Sequence, residues 1–301
     1  MASFGPQTAF TGRAEPLGRL LFGVRAGYRL LRVSRPVTRL LGPQYRRSRD
    51  LLEVDITYAC NLKCENCNRS CRQAPSSERM SLAQIEALVA ASEQAGKHWR
   101  RVRVLGGEPT LHPELLPILT LLQERLGSRG TLVELVTNGF GPAALRVLGA
   151  LPAGVEVDDS RKSTARQPFF GPFNLAPFDT RRHAFSSYRN GCSIAAVCGM
   201  GLTPHGYYCC ALAGGIDRVV GLGLGRLHLP EDDDDLLDQA EAFCGLCGRF
   251  HDGHFVPRNL RRPLVGEVIS PTWRDLYARY HDHPPALPWY ASVSPGPGRR
   301  R

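Results

Sequence analysis

LLEVDITYACNLKCENC (51–67) decides how this chain is read. Its first seven residues, LLEVDIT, are strand-like, and the loop that follows carries Cys60, Cys64 and Cys67 in a C-x3-C-x2-C spacing. Three thiolates on one short loop can hold three irons of a [4Fe–4S] cluster and leave the fourth iron open. An iron without a protein ligand can bind a small molecule and act on it. Four closely spaced cysteines would suit electron carriage instead.

Working outward from the triad, the pattern alternates strand and helix. SLAQIEALVAASEQAG (81–96) is a helix with Ser81 as N-cap. RVRVLGG (101–107) is a strand ending in glycines, and LLPILTLLQERLG (115–127) is a helix closing on Gly127. TLVELVTNG (131–139) is a strand, AALRVLGAL (143–151) a short helix, and VEVDDS (155–160) a fourth strand. Repeated βα units imply a parallel sheet, with sites at the carboxyl ends of its strands. The cysteine triad, Gly106-Gly107-Glu108-Pro109, Thr137-Asn138-Gly139 and Asp158-Asp159-Ser160 all follow strands, so four special motifs converge on one rim.

LGGEP (105–109) and TNG (137–139), in this order after the triad, resemble motifs of the radical S-adenosylmethionine (radical SAM) superfamily. The resemblance implies that Gly106, Gly107 and Glu108 hold the methionyl amino group of SAM, with Asn138 near its ribose or carboxylate. The chemistry fits, because glycines let the backbone approach a ligand and a carboxylate pairs with an ammonium. Family members often carry an aromatic residue before the third cysteine, where this chain has Asn66, which puts the adenine contact in question. Cys71 breaks the triad spacing and reads as a bystander.

Length and composition set the outer bounds. The 301 residues, 43% hydrophobic, can bury a sizeable core. No apolar run reaches the ~18 residues of a membrane span. Ten cysteines grouped as C-x3-C-x2-C and C-x2-C favour metal ligation over a disulfide framework, and so a reducing, cytoplasmic compartment. The net charge of +10 sits almost wholly in residues 1–50, where ten arginines face only Glu15 and Asp50. The rest of the chain is near neutral, so no nucleic acid partner is expected.

The leader reads as an amphipathic helix stopped by Pro36. Leu17, Leu20, Leu21, Val24, Tyr28 and Leu31 form its apolar stripe, with Arg19, Arg25, Arg29 and Arg32 between them. Such a segment can lie on an anionic membrane surface or dock on a partner, which would make the protein membrane-associated. The alternative is a helix packed on the enzyme's flank with its arginines in solvent.

Six cysteines remain in the C-terminal third. CGMGLTPHGYYCC (198–210) reads as a hairpin, and CGLC (244–247) follows an acidic stretch containing EDDDD (231–235). A cysteine-bearing hairpin followed by C-x2-C resembles the twitch domain, the shorter relative of the SPASM domain, and implies a second [4Fe–4S] cluster. The candidates are Cys210, Cys244 and Cys247, with Cys192 as the fourth ligand and Cys198 as its rival. Cys209 and Cys210, as strand neighbours, point to opposite faces, so only one should ligate. A structural zinc at the same thiolates is the competing reading.

Only about 130 residues separate the first cysteine loop from Cys192, too few for a complete (β/α)8 barrel of ~250 residues. The expected fold is therefore α/β, a partial (β/α)5–6 radical SAM barrel (51–190). It has a small C-terminal hairpin-type iron–sulfur domain (191–260), a basic N-terminal amphipathic helix (1–50) and a C-terminal extension (261–301). Residues 161–190 could shape a substrate pocket, with Asp158, Lys162 and Arg161 as candidate substrate contacts.

The resemblance implies reductive cleavage of SAM to a 5′-deoxyadenosyl radical, hydrogen abstraction from a substrate, and an electron donor such as flavodoxin or ferredoxin. A second cluster suits a two-electron oxidation, first of all dehydrogenation of a sugar or aminocyclitol. Peptide modification is the alternative, and a non-catalytic iron–sulfur or zinc-binding adaptor is the reading from another class.

Overall fold

The computed structural model describes residues 16–164, 173–252 and 266–291. Two helices lead, α1 (Pro16–Val33) and α2 (Arg35–Leu41). Pro36 therefore opens a second helix as well as closing the first; its missing N–H costs nothing in a first turn. The βα alternation follows: β1 (Leu51–Thr57), α3 (Leu82–Gln94), β2 (Arg101–Gly106), α4 (Leu115–Arg125), β3 (Leu132–Thr137), α5 (Pro142–Leu148) and β4 (Glu156–Asp159). Ser81 caps α3 through a full capping box with Gln84. Helix α4 does not close on Gly127; a 3-10 turn over Gly127–Arg129 extends it to Gly130, which takes the left-handed conformation.

Beyond α6 (Ile194–Val197), the expected hairpin is present as β5 (Met200–Thr203) and β6 (Gly206–Tyr208). Helices α7 (Ala211–Val220), α8 (Leu237–Phe243), α9 (Arg249–Asp252) and α10 (Pro271–Asp282) complete the described chain. The six strands form one mixed sheet in the order β4-β3-β2-β1-β5-β6, parallel except at β6. It is open, with β4 and β6 as edges. The hairpin thus joins the main sheet, pairing with β1 on the side away from β2. Gly199 permits this approach: at φ +83°, a Cβ there would lie 2.0 Å from the Leu51 carbonyl oxygen.

The two faces of the sheet differ in chemistry. Leu52, Val54, Ile56, Val102, Val104, Val133 and Leu135 pack against Ile85, Leu88 and Val89 of α3 and Ile118, Leu119 and Leu122 of α4. The period-two alternation then forces Glu53, Asp55, Arg103, Glu134 and Asp158 onto the opposite face. Gly201 aligns with Glu53 and so shares that face, and a Cβ there would strike Ala211 at the start of α7. Helix α7, buried from Ala211 to Val219, therefore packs on the polar side.

Gly130→Ala introduces a left-handed alanine with open space around it, which costs about 1–2 kcal/mol. Gly199→Ala adds the clash with Leu51 and should cost a further 1–3 kcal/mol, roughly the overpacking range. Urea unfolding of the cluster-free chain measures the difference; equal losses would show that the β1–β5 approach is not a tight constraint.

Candidate active site

The carboxyl ends of β1, β2 and β3 are stitched together by backbone. Gly107 N–H donates to Thr57 O (2.7 Å) and Glu108 N–H to Ala59 O (2.8 Å). A Cβ on Gly106 or Gly107 would lie 2.2 Å from the Thr57 or Ala59 carbonyl, so both glycines are needed for this contact alone. Glu108 is fully buried. Its Oε1 accepts from the Thr110 backbone N–H (3.1 Å) and from the hydroxyls of Thr110 and Thr137 (2.7 Å each), and its Oε2 accepts from Asn138 N–H (2.7 Å). Glu108 is thus a strut between the β2 and β3 loops. A carboxylate offers about four acceptor positions per pair of oxygens, which leaves Oε2 the less committed oxygen for a ligand ammonium.

Asn138 reaches the cysteine loop, donating from Nδ2 to Asn61 Oδ1 (2.8 Å) and lying 3.9 Å from Cys60 Sγ. Burial pushes the Cys60 thiol up to about 11 and also raises Cys64, with the neighbouring thiols contributing to both. Lys162 opposes this, its ammonium lowering Cys64 and Cys67. Lys162 therefore lies beside the triad; its backbone N–H donates to Asn138 O (2.9 Å). The Cys71 thiol hydrogen-bonds Cys67 and holds it down at about 6. Cys71 is in contact with the triad, a neighbour that spacing alone did not suggest.

Asn66 explains its own departure from the expected aromatic. It adopts φ +54°, a left-handed geometry that asparagine tolerates, and its Nδ2 donates to Gly266 O (3.0 Å). The loop is thereby tied to the segment around Glu267, which also accepts from Asn174.

Below the rim lies a buried ionic network. Arg69, two residues past Cys67, pairs with Asp55 through both Nε (3.3 Å) and Nη2 (3.2 Å), and with Glu53 (3.3 Å). Arg103 binds Glu53 (3.0 Å), Glu134 and Asp158. Burial lifts the Asp55 carboxyl above the usual carboxylate range despite Arg69. Asp158 is consequently held by Arg103. Arg161 sits at φ +45° with its N–H on Asp159 Oδ1 (2.8 Å). Arg103 signals itself in the sequence as a cation inside a strand pattern, whereas Arg69, in the polar loop CNRSCRQ (67–73), carries no such signal. The proposed pocket-shaping stretch falls partly on 165–172, outside the described residues.

The second group of cysteines gathers elsewhere. A cavity of about 640 Å³ is lined by Cys192, Cys209, Cys210, Cys244 and Cys247. Burial and the mutual proximity of Cys192, Cys210, Cys244 and Cys247 raise the Cys244 and Cys247 thiols. Cys198 is apart: it lies against Glu53, and burial pushes it up to about 12. The expectation that Cys209 and Cys210 face opposite ways is corrected. Strand β6 ends at Tyr208, so strand alternation does not apply there; both residues line the cavity, and the neighbouring Cys209 lowers the Cys210 thiol. Among the described residues, no three Cys, His, Asp or Glu side chains converge to hold a single metal ion. A cluster asks for something else, because each thiolate takes a different iron.

Residues 54–158 match the radical SAM superfamily. The match spans about a third of the chain and contains the cysteine triad, GGEP and TNG. GTP 3′,8-cyclase from Limosilactobacillus fermentum is 33% identical over 99 residues, 32% of this chain and 29% of that one. The enzyme of the same name from Shewanella denitrificans is 36% identical over 90 residues, 30% and 26% of the two chains. The chain thus matches less than a third of the length of these relatives. Among solved structures, BtrN in complex with AdoMet and 2-DOIA aligns over 68% of this chain and 89% of its own, at 14% identity and a TM-score of 0.40. Streptococcus suis SuiB bound to S-adenosylmethionine covers 51% and 30%, at 17% identity and 0.27. The superfamily match implies a [4Fe–4S] cluster and SAM. The residues fit both groups: an all-sulfur donor set on one loop, with Glu108 and Asn138 bound to each other at its edge.

Arg69→Met leaves Asp55 buried without a cation and Glu53 with Arg103 alone, and should destabilise the chain by about 3–5 kcal/mol. Adding Glu53→Gln and Asp55→Asn should recover much of that loss. Chemical denaturation of the cluster-free variants reads both; no recovery in the triple variant would assign Arg69 a packing role only.

Proposed function

We propose that the chain is a radical SAM enzyme that oxidises a small molecule by two electrons, with dehydrogenation of an alcohol carbon on a sugar or aminocyclitol as the first choice. The observation that carries this reading is the second thiol group, Cys192, Cys210, Cys244 and Cys247 around one cavity, beside a superfamily domain that has its own triad. When loaded, the triad cluster and SAM would supply a radical able to take a hydrogen atom from carbon, and a second [4Fe–4S] group held by Cys192, Cys210, Cys244 and Cys247 would supply a one-electron acceptor.

The chain's own residues hold and insulate. Cys60, Cys64 and Cys67 present the sulfurs, with Lys162 placing positive charge beside them. Glu108 and Asn138 fix the rim where SAM would lie. Arg103 holds Glu134 and Asp158, so substrate contacts come from groups above this network, Lys162 foremost. A protein electron donor such as ferredoxin or flavodoxin would supply the priming electron; cleaved SAM balances the two electrons and one hydrogen that the substrate loses, and the remaining proton leaves to solvent.

Anaerobic reconstitution should give about eight irons per chain, and dithionite with SAM should yield 5′-deoxyadenosine. About four irons would remove the second cluster, and no 5′-deoxyadenosine from intact clusters would sink the enzymatic reading. Cys192→Ala should lower the iron content to about four while Cys198→Ala leaves it near eight; the reverse would reassign the fourth ligand. Deuterium transfer from labelled substrates into 5′-deoxyadenosine identifies the substrate, and a peptide as the donor would replace the small-molecule assignment.

A further inference from the structure

The N-terminal helix is turned the opposite way from a helix that uses its apolar stripe for packing. Leu20, Val24 and Leu31 are 65%, 63% and 56% exposed, and Tyr28 on the same line is exposed too. Gly23 and Gly27 share this face, and nothing lies within 4 Å of where their Cβ atoms would be. The inward face carries two arginines beside the buried Val33. Arg29 and Arg32 are only 9% and 7% exposed. Arg29 donates to Gly191 O (3.3 Å) and stacks over Phe250 at 5.2 Å, while Arg32 donates to Gly42 O (3.1 Å).

The exposed stripe continues onto neighbouring structure. Leu40 and Leu41 on α2 are exposed, and so is Phe185, whose carbonyl accepts from Arg35 N–H (2.9 Å) at the α1–α2 corner. Phe185 is 80% exposed, the second most exposed of the large apolar side chains described, after Leu40. Around this surface stand the exposed Arg35, Arg39, Arg181 and Arg182. Between Pro16 and Arg49 the chain has no acidic residue.

We propose that this face binds an anionic lipid surface, with α1 lying in the plane of the interface. A helix of 18 residues presents a line about 27 Å long, and an interfacial helix combines such an apolar line with flanking cations. Among the described residues no helix is long and apolar enough to cross a membrane, so the helix would rest on the bilayer. The charge pattern selects lipid over a second copy of the chain: two copies would set against each other the arginines of α1 and α2, helices without a carboxylate, whereas an anionic headgroup layer is complementary to them. The proposal is independent of the reaction catalysed.

The test is cosedimentation of the full reconstituted chain with vesicles of phosphatidylcholine alone and with 30% phosphatidylglycerol, roughly the charge density of an anionic leaflet. Binding should require the anionic lipid and weaken as salt is raised. Val24→Asp with Leu31→Asp should abolish it. Arg39→Gln with Arg182→Gln should weaken it about 30-fold, at about 1 kcal/mol for each basic residue near the surface. Both pairs of positions are exposed, and circular dichroism with iron content verifies the fold. No binding to anionic vesicles, equal binding to neutral ones, or unchanged binding by Val24→Asp with Leu31→Asp would overturn the proposal. So would a dimer in light scattering that becomes monomeric in that double variant, which would assign the face to a second copy.

Discussion

The pairing of Arg69 with Glu53 and Asp55 is the contact on which the rest of the site depends. Strand β1 exposes two carboxylates to the interior of the protein, and burial makes each costly unless a cation meets it. Arg69 meets both from the loop that carries the triad, and Arg103 meets Glu53 from β2 while gripping β3 and β4. The position of the cysteine loop is therefore fixed electrostatically against the strand that launches it. Its orientation is not left to loop conformation.

Helix α7 extends this logic to the second thiol group. It begins at Cys210, and its Gly215 would place a Cβ 3.7 Å from the Arg69 Cα, so the helix runs against the turn that follows the triad. Arg218, buried on α7, donates to Arg69 O (3.0 Å) and Ala74 O (2.8 Å) and lies 4.3 Å over the Tyr58 ring. One rigid helix thus joins the loop of the first three cysteines to a cysteine of the second set. A change in the geometry of either would be felt at the other.

The βα alternation through β4 was legible because each strand and helix is a local pattern, and Ser81 and the glycines at 106–107 marked the ends. The site order along the chain was legible for the same reason: each motif follows its own strand. What local pattern could not carry was pairing between distant segments. The hairpin's place beside β1 depends on Gly199 meeting Leu51, and the tie from Asn66 to Gly266 spans 200 residues. Alternation also misled at Cys209 and Cys210, because it applies only while the chain remains a strand.

The leader illustrates the same boundary with more force. A helical period separates two faces but is symmetric about which one turns inward, so Leu20, Val24 and Leu31 read equally well as core or as surface. The answer came from Gly191 O, Gly42 O and the Phe250 ring, acceptors for arginine supplied by other parts of the chain. An arginine can be buried when its donors find carbonyls and its plane finds an aromatic face. Once those contacts are made, the aliphatic stripe has only the outside left to it. Exposing such a stripe in water is unfavourable, and a protein that spends buried arginines to keep it exposed has fixed the helix for something other than its own core.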